Sequence, residues 1–301
     1  MREKLFLFAA LVAFGAGWGL TQPLTKIAVS EGYRHFGLIF WQLALTCALM
    51  TLIAVAARRK LVLSAPAIRV YLVIALIGTV LPNAASYQAA VYLPSGIISI
   101  LLSLVPMFAL PVALALGNDR FEPRRLIGLI LGLIAVILIA LPETSLPDRA
   151  MLAFLPLAII APLFYAFEGN YVARWGTAGL DAVQVMQGAS LIGMLVALPL
   201  ALGSGQWIDP RPPYGMPDVA LMLSAVIHGL VYTGYVWIIG RAGSVFAAQV
   251  AYLVTGFGVL WAMLLLGERY SLWVWAAFAV MLAGMALVQP RAREDVETQT
   301  H

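Results

Sequence analysis

Long, unbroken apolar stretches, each about 17 to 25 residues and ended by charges, Pro or Gly, leave this chain few folds to choose from. A helix needs about 20 such residues to cross the ~30 Å hydrocarbon core of a bilayer. Inside that core only helices and closed barrels satisfy every backbone polar group. Barrel strands would carry a polar residue at every second position, and these runs do not. Ten spans can be marked: 5–29, 36–57, 69–92, 95–116, 124–141, 151–174, 181–203, 217–240, 244–266 and 271–289. Charged residues are 11% of the 301, against roughly 25% in a soluble domain. That is too few to cover a water-facing surface, so the chain is expected to be an all-α integral membrane protein in a lipid bilayer.

The spans fall into two halves. Runs at 96–116 and 126–141 flank the hinge Gly117-Asn118-Asp119-Arg120-Phe121-Glu122-Pro123, and about 150 residues later runs at 244–266 and 272–288 flank Gly267-Glu268-Arg269-Tyr270. The expected domains are a five-helix repeat over 1–142, a linker at 143–150, a second repeat over 151–290 and a cytoplasmic tail at 291–301. Five is odd, so the second half enters from the opposite side of the bilayer and the repeats are inverted. Of the 18 Lys and Arg, thirteen lie on one side, among them Arg58-Arg59-Lys60 and Arg124-Arg125. Cytoplasmic loops retain such residues, which puts both termini in the cytoplasm. The N-terminal apolar run continues past Trp18, which argues for a first span rather than a cleavable signal. The 203–217 connection carries Trp207, Asp209, Pro210, Arg211, Pro212, Pro213 and Tyr214, and reads as a connector with interfacial aromatics or as a partial lid.

A single Cys47, inside an apolar run, excludes a disulfide framework. The pI near 9.3 would suggest nucleic acid in a soluble protein, but the basic residues here sit mostly in short loops, so no nucleic-acid partner is expected. No Gly-x-Ser-x-Gly or His-Glu-x-x-His motif is present, and His228 has no acidic partner in its span. Neither enzymatic activity nor a metal or other cofactor is expected, and a monomer is the default.

Polar groups inside the spans are the informative minority, because each needs a partner or a watery cavity. In the first span Trp18, Gln22 and Lys26 are spaced by four and share a face, with Pro23 removing a backbone bond near its middle. Alternatively Gln22 bonds a neighbouring helix and Lys26 reaches out to the interface. Trp41 in the second span, Asn83 and Tyr87 in the third and Ser99 in the fourth continue the series, the serine being open to a packing role as well. The sixth span adds Tyr165 and Glu168. Glu168 is the only acidic residue placed within a span rather than a loop, and is either a proton-coupling group or a hydrated neighbour of Arg174 or Arg241. In the eighth span His228, Tyr232 and Tyr235 follow i, i+4, i+7 and form one stripe, and the ninth contributes Gln249 and Tyr252. Hydroxyl, amide and imidazole tips on such stripes suit a partly wet cavity that binds an amphipathic molecule. His228 is a second proton-coupling candidate.

Gly15-Ala16-Gly17-Trp18-Gly19 followed by Lys26, the Pro106-containing fourth span leading to Gly128 and Gly132, and Gly243-Ser244 leading to Gly267-Glu268-Arg269-Tyr270 and Gly284 together resemble the drug/metabolite transporter superfamily. The pattern is most similar to its EamA-type, ten-helix exporters over residues 5–289, and the aromatic stripes resemble those of bacterial aromatic amino acid exporters. Asn118-Asp119 stands where the family often has Gly-Glu, and Thr255-Gly256 where a proline is common. The resemblance implies two inverted five-helix repeats around a central cavity, with the fifth and tenth helices outside, in a bacterial inner membrane. It further implies export of an amino acid-like small molecule by alternating access. Nucleotide-sugars, sugar phosphates or lipid-linked anions would call for several cavity cations, and only Lys26 and His228 are candidates.

Overall fold

The apolar stretches become helices whose ends are set by local chemistry. A computed structural model of the chain describes residues 2–242, 246 and 249–288. The expected tail at 291–301 and the Gly243-Ser244 motif lie outside the described residues. Helix α1 spans Arg2–Ser30 and α2 His35–Ala56. Helix α3, Ala65–Ala75, starts where the Ser64 hydroxyl accepts from the Ala67 N–H, four residues earlier than the charge pattern suggested, so Arg69 lies inside it. A π turn at Leu76–Val80 joins it to α4, Leu81–Tyr92. The fourth span is broken at Ser103 and Leu104 into α5, Ser95–Leu102, and α6, Val105–Ala115. Helix α7 covers Pro123–Ala140, with proline in its first turn.

The second half repeats this order. A 3-10 turn at Arg149–Phe154 leads into α8, Leu155–Trp175. Helix α9, Ala182–Gly203, opens with a capping box in which Asp181 and Gln184 satisfy each other's backbone N–H. Helices α10, Met216–Ala242, α11, Val250–Leu266, and α12, Leu272–Val288, complete the chain. Asp218 falls in the first turn of α10, so Glu168 is not the only acidic residue within a helix. Gly267 closes α11 in the left-handed conformation at φ 66°, which glycine adopts without steric cost.

Among the described residues there is no strand. Eight stretches are long and apolar enough to cross a membrane, and α11 and α12 are shorter apolar helices of 17 residues each. The packing follows a rule. Exchanging the halves maps α1 onto α8, α2 onto α9, α3–α4 onto α10, α5–α6 onto α11 and α7 onto α12. Under that exchange the main contacts map onto one another: α1 with α11 onto α8 with α6, α1 with α10 onto α8 with α4, and α2 with α10 onto α9 with α3. The contacts of α2 with α9, α5 with α11 and α7 with α12 map onto themselves. Helices α7 and α12 meet along small residues, where a Cβ on Gly128 would lie 2.7 Å from the Gly284 carbonyl oxygen.

Candidate functional site

Side chains from both halves converge between α1, α2, α4, α8 and α10. Tyr87 is buried and donates to the Gln42 amide oxygen in a short hydrogen bond. One turn before it on α4, buried Asn83 accepts from the Tyr165 hydroxyl of α8 at 3.0 Å. Each bond spares a polar group the cost of sitting unpaired among apolar helices. Both are made between helices, and the second joins the two halves of the chain.

The aromatic wall stands beside these pairs. Trp18 lies 5.2 Å from the Tyr235 ring and 6.5 Å from both His228 and Tyr232. The i, i+4, i+7 stripe therefore faces one tryptophan across the α1–α10 interface, and all four rings are half-buried. Tilted and edge-on aromatic pairs at these separations are favourable beyond their area burial.

Glu168 lies on α8, three residues after Tyr165. Its carboxylate rests on the π turn, where a Cβ on Gly78 would collide with it. The expectation that Arg174 or Arg241 would neighbour it is not met as an ion pair. Arg241 binds Glu3 at 3.1 Å, and among the described residues no basic side chain is paired with Glu168.

Other candidates lie apart from this cluster. Lys26 shares the α1 face as expected, but its ammonium neither lines the site nor reaches outward. It donates to the carbonyls of Ala90, Val91 and Leu93 at 2.7, 3.2 and 3.1 Å, capping the end of α4, where a cation offsets the negative pole of the helix. Trp41 gives its indole N–H to the Ile208 carbonyl at 3.0 Å and packs against Phe40 and Trp207, which ties the 204–215 connection to α2. Ser99 is fully buried, returns its hydroxyl to the Ser95 carbonyl and packs against Gly258 of α11. Gln249 and Tyr252 line a separate cavity of about 220 Å³ with Phe8, Leu11 and Leu253, at the far end of the apolar cluster that holds Trp18 and Tyr235. Gln22 is half-buried on the Trp18 helix.

Toward the end with the 31–34 and 204–215 connections, Tyr87 and Gln42 border a gap of about 10 Å³ with Leu24, Thr25 and Ser224, room for about one water. Beyond it the helix ends are tied together. Tyr33 donates to Asp218 at 2.6 Å, and the Gln206 side chain accepts from the Phe36 N–H at 3.0 Å. Burial, and then the hydrogen bond to Asp218, push the Tyr33 phenol up to about 12. Glu268 accepts from the N–H groups of Ser95 and Gly96 at 2.7 and 3.1 Å and from the Tyr270 hydroxyl at 2.5 Å. Burial, with that bond second, pushes the Tyr270 phenol up as well.

Two members of the cluster escaped the sequence reading as site residues. Gln42 is polar within the second span but gave no sign of its partner. Gly78 had an indirect signal in Pro82. Proline has no N–H to give the carbonyl four residues back, which is that of Gly78, and its ring crowds that carbonyl, so an irregular turn was legible there.

Apolar helices enclosing a polar and aromatic cluster drawn from both halves define a multi-pass membrane protein. The profile of the EamA-like transporter family matches residues 4–141 and again 152–289, and the chain belongs to that family. Its members are membrane transporters, not enzymes. A crystal structure of a protein 16% identical to the chain has the same fold, with a TM-score of 0.63 over 93% of this chain and 97% of that one. No curated protein matches.

Proposed function

We propose that this protein exports amino acids, aromatic ones foremost, and similar small amphipathic metabolites across a bacterial inner membrane. The observation that carries the reading is the meeting of Trp18, His228, Tyr232 and Tyr235 with the hydrogen-bonded Asn83, Tyr87, Gln42 and Tyr165. Rings supply an apolar wall for a substrate ring, and hydroxyl and amide tips supply partners for its polar end. Several cavity cations would be needed for nucleotide-sugars or sugar phosphates, and Lys26 is occupied by the α4 carbonyls.

In this reading the eight long stretches and the two 17-residue helices make ten spans, arranged as two inverted repeats with both termini cytoplasmic. The half-for-half correspondence of helix contacts supports the repeat, and five spans per half support the inversion. Substrate passes by alternating access, with Glu168 or His228 carrying protons where transport is coupled. Reconstituted protein is expected to show saturable counterflow of labelled phenylalanine and tryptophan. Movement of a sugar phosphate with no movement of amino acids would sink the proposal.

A further inference from the structure

Resting on that reading, we infer that Glu168 is the anionic subsite of the substrate site, the group that receives a protonated amine, so that the favoured substrates are aromatic molecules carrying an ammonium. A carboxylate among membrane helices is retained at a cost unless a cation meets it, and among the described residues no basic side chain is paired with Glu168. Arg59 is paired with Asp181, Arg125 with Asp119 and Glu122, Arg211 with Asp209, and Arg241 with Glu3. Lys26 is spent on backbone carbonyls. Glu168 is nevertheless half-buried rather than sealed.

The surroundings suit an ammonium on an aromatic body. Gly78 contributes no side chain, and the absence of a Cβ leaves the space the carboxylate occupies against the π turn. π turns of this kind are rare inside helices and frequent at functional sites. Tyr232 faces Trp18 at 6.5 Å on the α10 stripe. An ammonium held at Glu168 would leave its aromatic body to the rings of Trp18, Tyr232 and Tyr235, whose electron-rich faces attract cations. An organic anion of the same size would face the carboxylate without a counter-charge, apart from His228, one turn before Tyr232 on the α10 stripe.

The test is equilibrium binding to purified protein in nanodiscs with three probes that share one ring: phenethylamine, phenylalanine and 3-phenylpropionate. Phenethylamine is expected to bind at least tenfold more tightly than 3-phenylpropionate. Glu168→Gln, nearly isosteric, should lose at least tenfold for phenethylamine and nothing for 3-phenylpropionate. Gly78→Ala, which displaces the carboxylate without removing it, should show the same selectivity in weaker form. Unchanged phenethylamine affinity in Glu168→Gln, with phenylalanine counterflow intact, overturns this inference and leaves the exporter reading standing. The same holds where Glu168→Gln alters only the response to a pH gradient. Failure of the unmodified protein to bind or move any of the three overturns the exporter reading and the inference with it.

Discussion

Tyr87 and Gln42 are each polar groups that bilayer helices tolerate because the other is present. Removing one hydroxyl therefore costs more than one hydrogen bond, since the Gln42 oxygen stays buried with its donor gone. The penalty for such an orphaned acceptor is about 1–3 kcal/mol. Tyr87→Phe is accordingly expected to lower the thermal unfolding midpoint in detergent, while the double change with Gln42→Leu recovers part of the loss. A double change as unstable as the sum of the singles would show that the two side chains are not coupled. Lys26 makes a related point. Its spacing from Trp18 and Gln22 was legible, but the three carbonyls that hold it come from residues 64 to 67 positions away, which periodicity cannot reveal.

The third span shows how one irregular element positions chemistry. Pro82 withholds an N–H from the Gly78 carbonyl, the helix widens into a π turn, and Gly78 is presented to Glu168 of the other half. Pro82→Ala restores the missing donor and relieves the ring's crowding, a change worth up to ~3 kcal/mol within a helix. The variant is expected to be as stable as the parent or more so, yet slower in phenylalanine counterflow, because a regular α-helix would turn Gly78, Asn83 and Tyr87 relative to Glu168. Equal transport by Pro82→Ala would detach the π turn from function. The hinge elements differ in a way already visible in the sequence. Glu268 caps α5, whereas Asn118, at the corresponding place in the first half, donates to the Asn170 carbonyl at 3.1 Å, and Asp119 is taken up by Arg125.

At the scale of the whole molecule the two halves pack as exchangeable partners, and the wall facing the site is built from both. The proposed topology makes a sided prediction. With Cys47 replaced by Ser, a cysteine at Lys60 should react with an impermeant maleimide only after the cells are opened, and one at Ser204 should react in intact cells. Both positions are exposed in connections at opposite ends of α2 and α9. The reverse pattern would invert the orientation taken from the Lys and Arg bias, and labelling of both from outside would remove the bundle topology itself.

The sequence alone determined that the chain spans a bilayer as apolar helices in two similar halves, because hydrocarbon dictates length and composition locally. The stripe of His228, Tyr232 and Tyr235 was legible for the same reason, since a helix repeats every 3.6 residues whatever surrounds it. Which helix each stripe meets is a matter of long-range packing. Tertiary structure alone decided that Trp18 faces the eighth-span stripe, that Asn83 bonds Tyr165, and that Trp41 and Ser99 leave the cluster for a loop and a packing seam. It also decided that Glu168 meets a bare glycine in place of an arginine, because that contact joins α8 to a π turn 90 residues earlier in the chain.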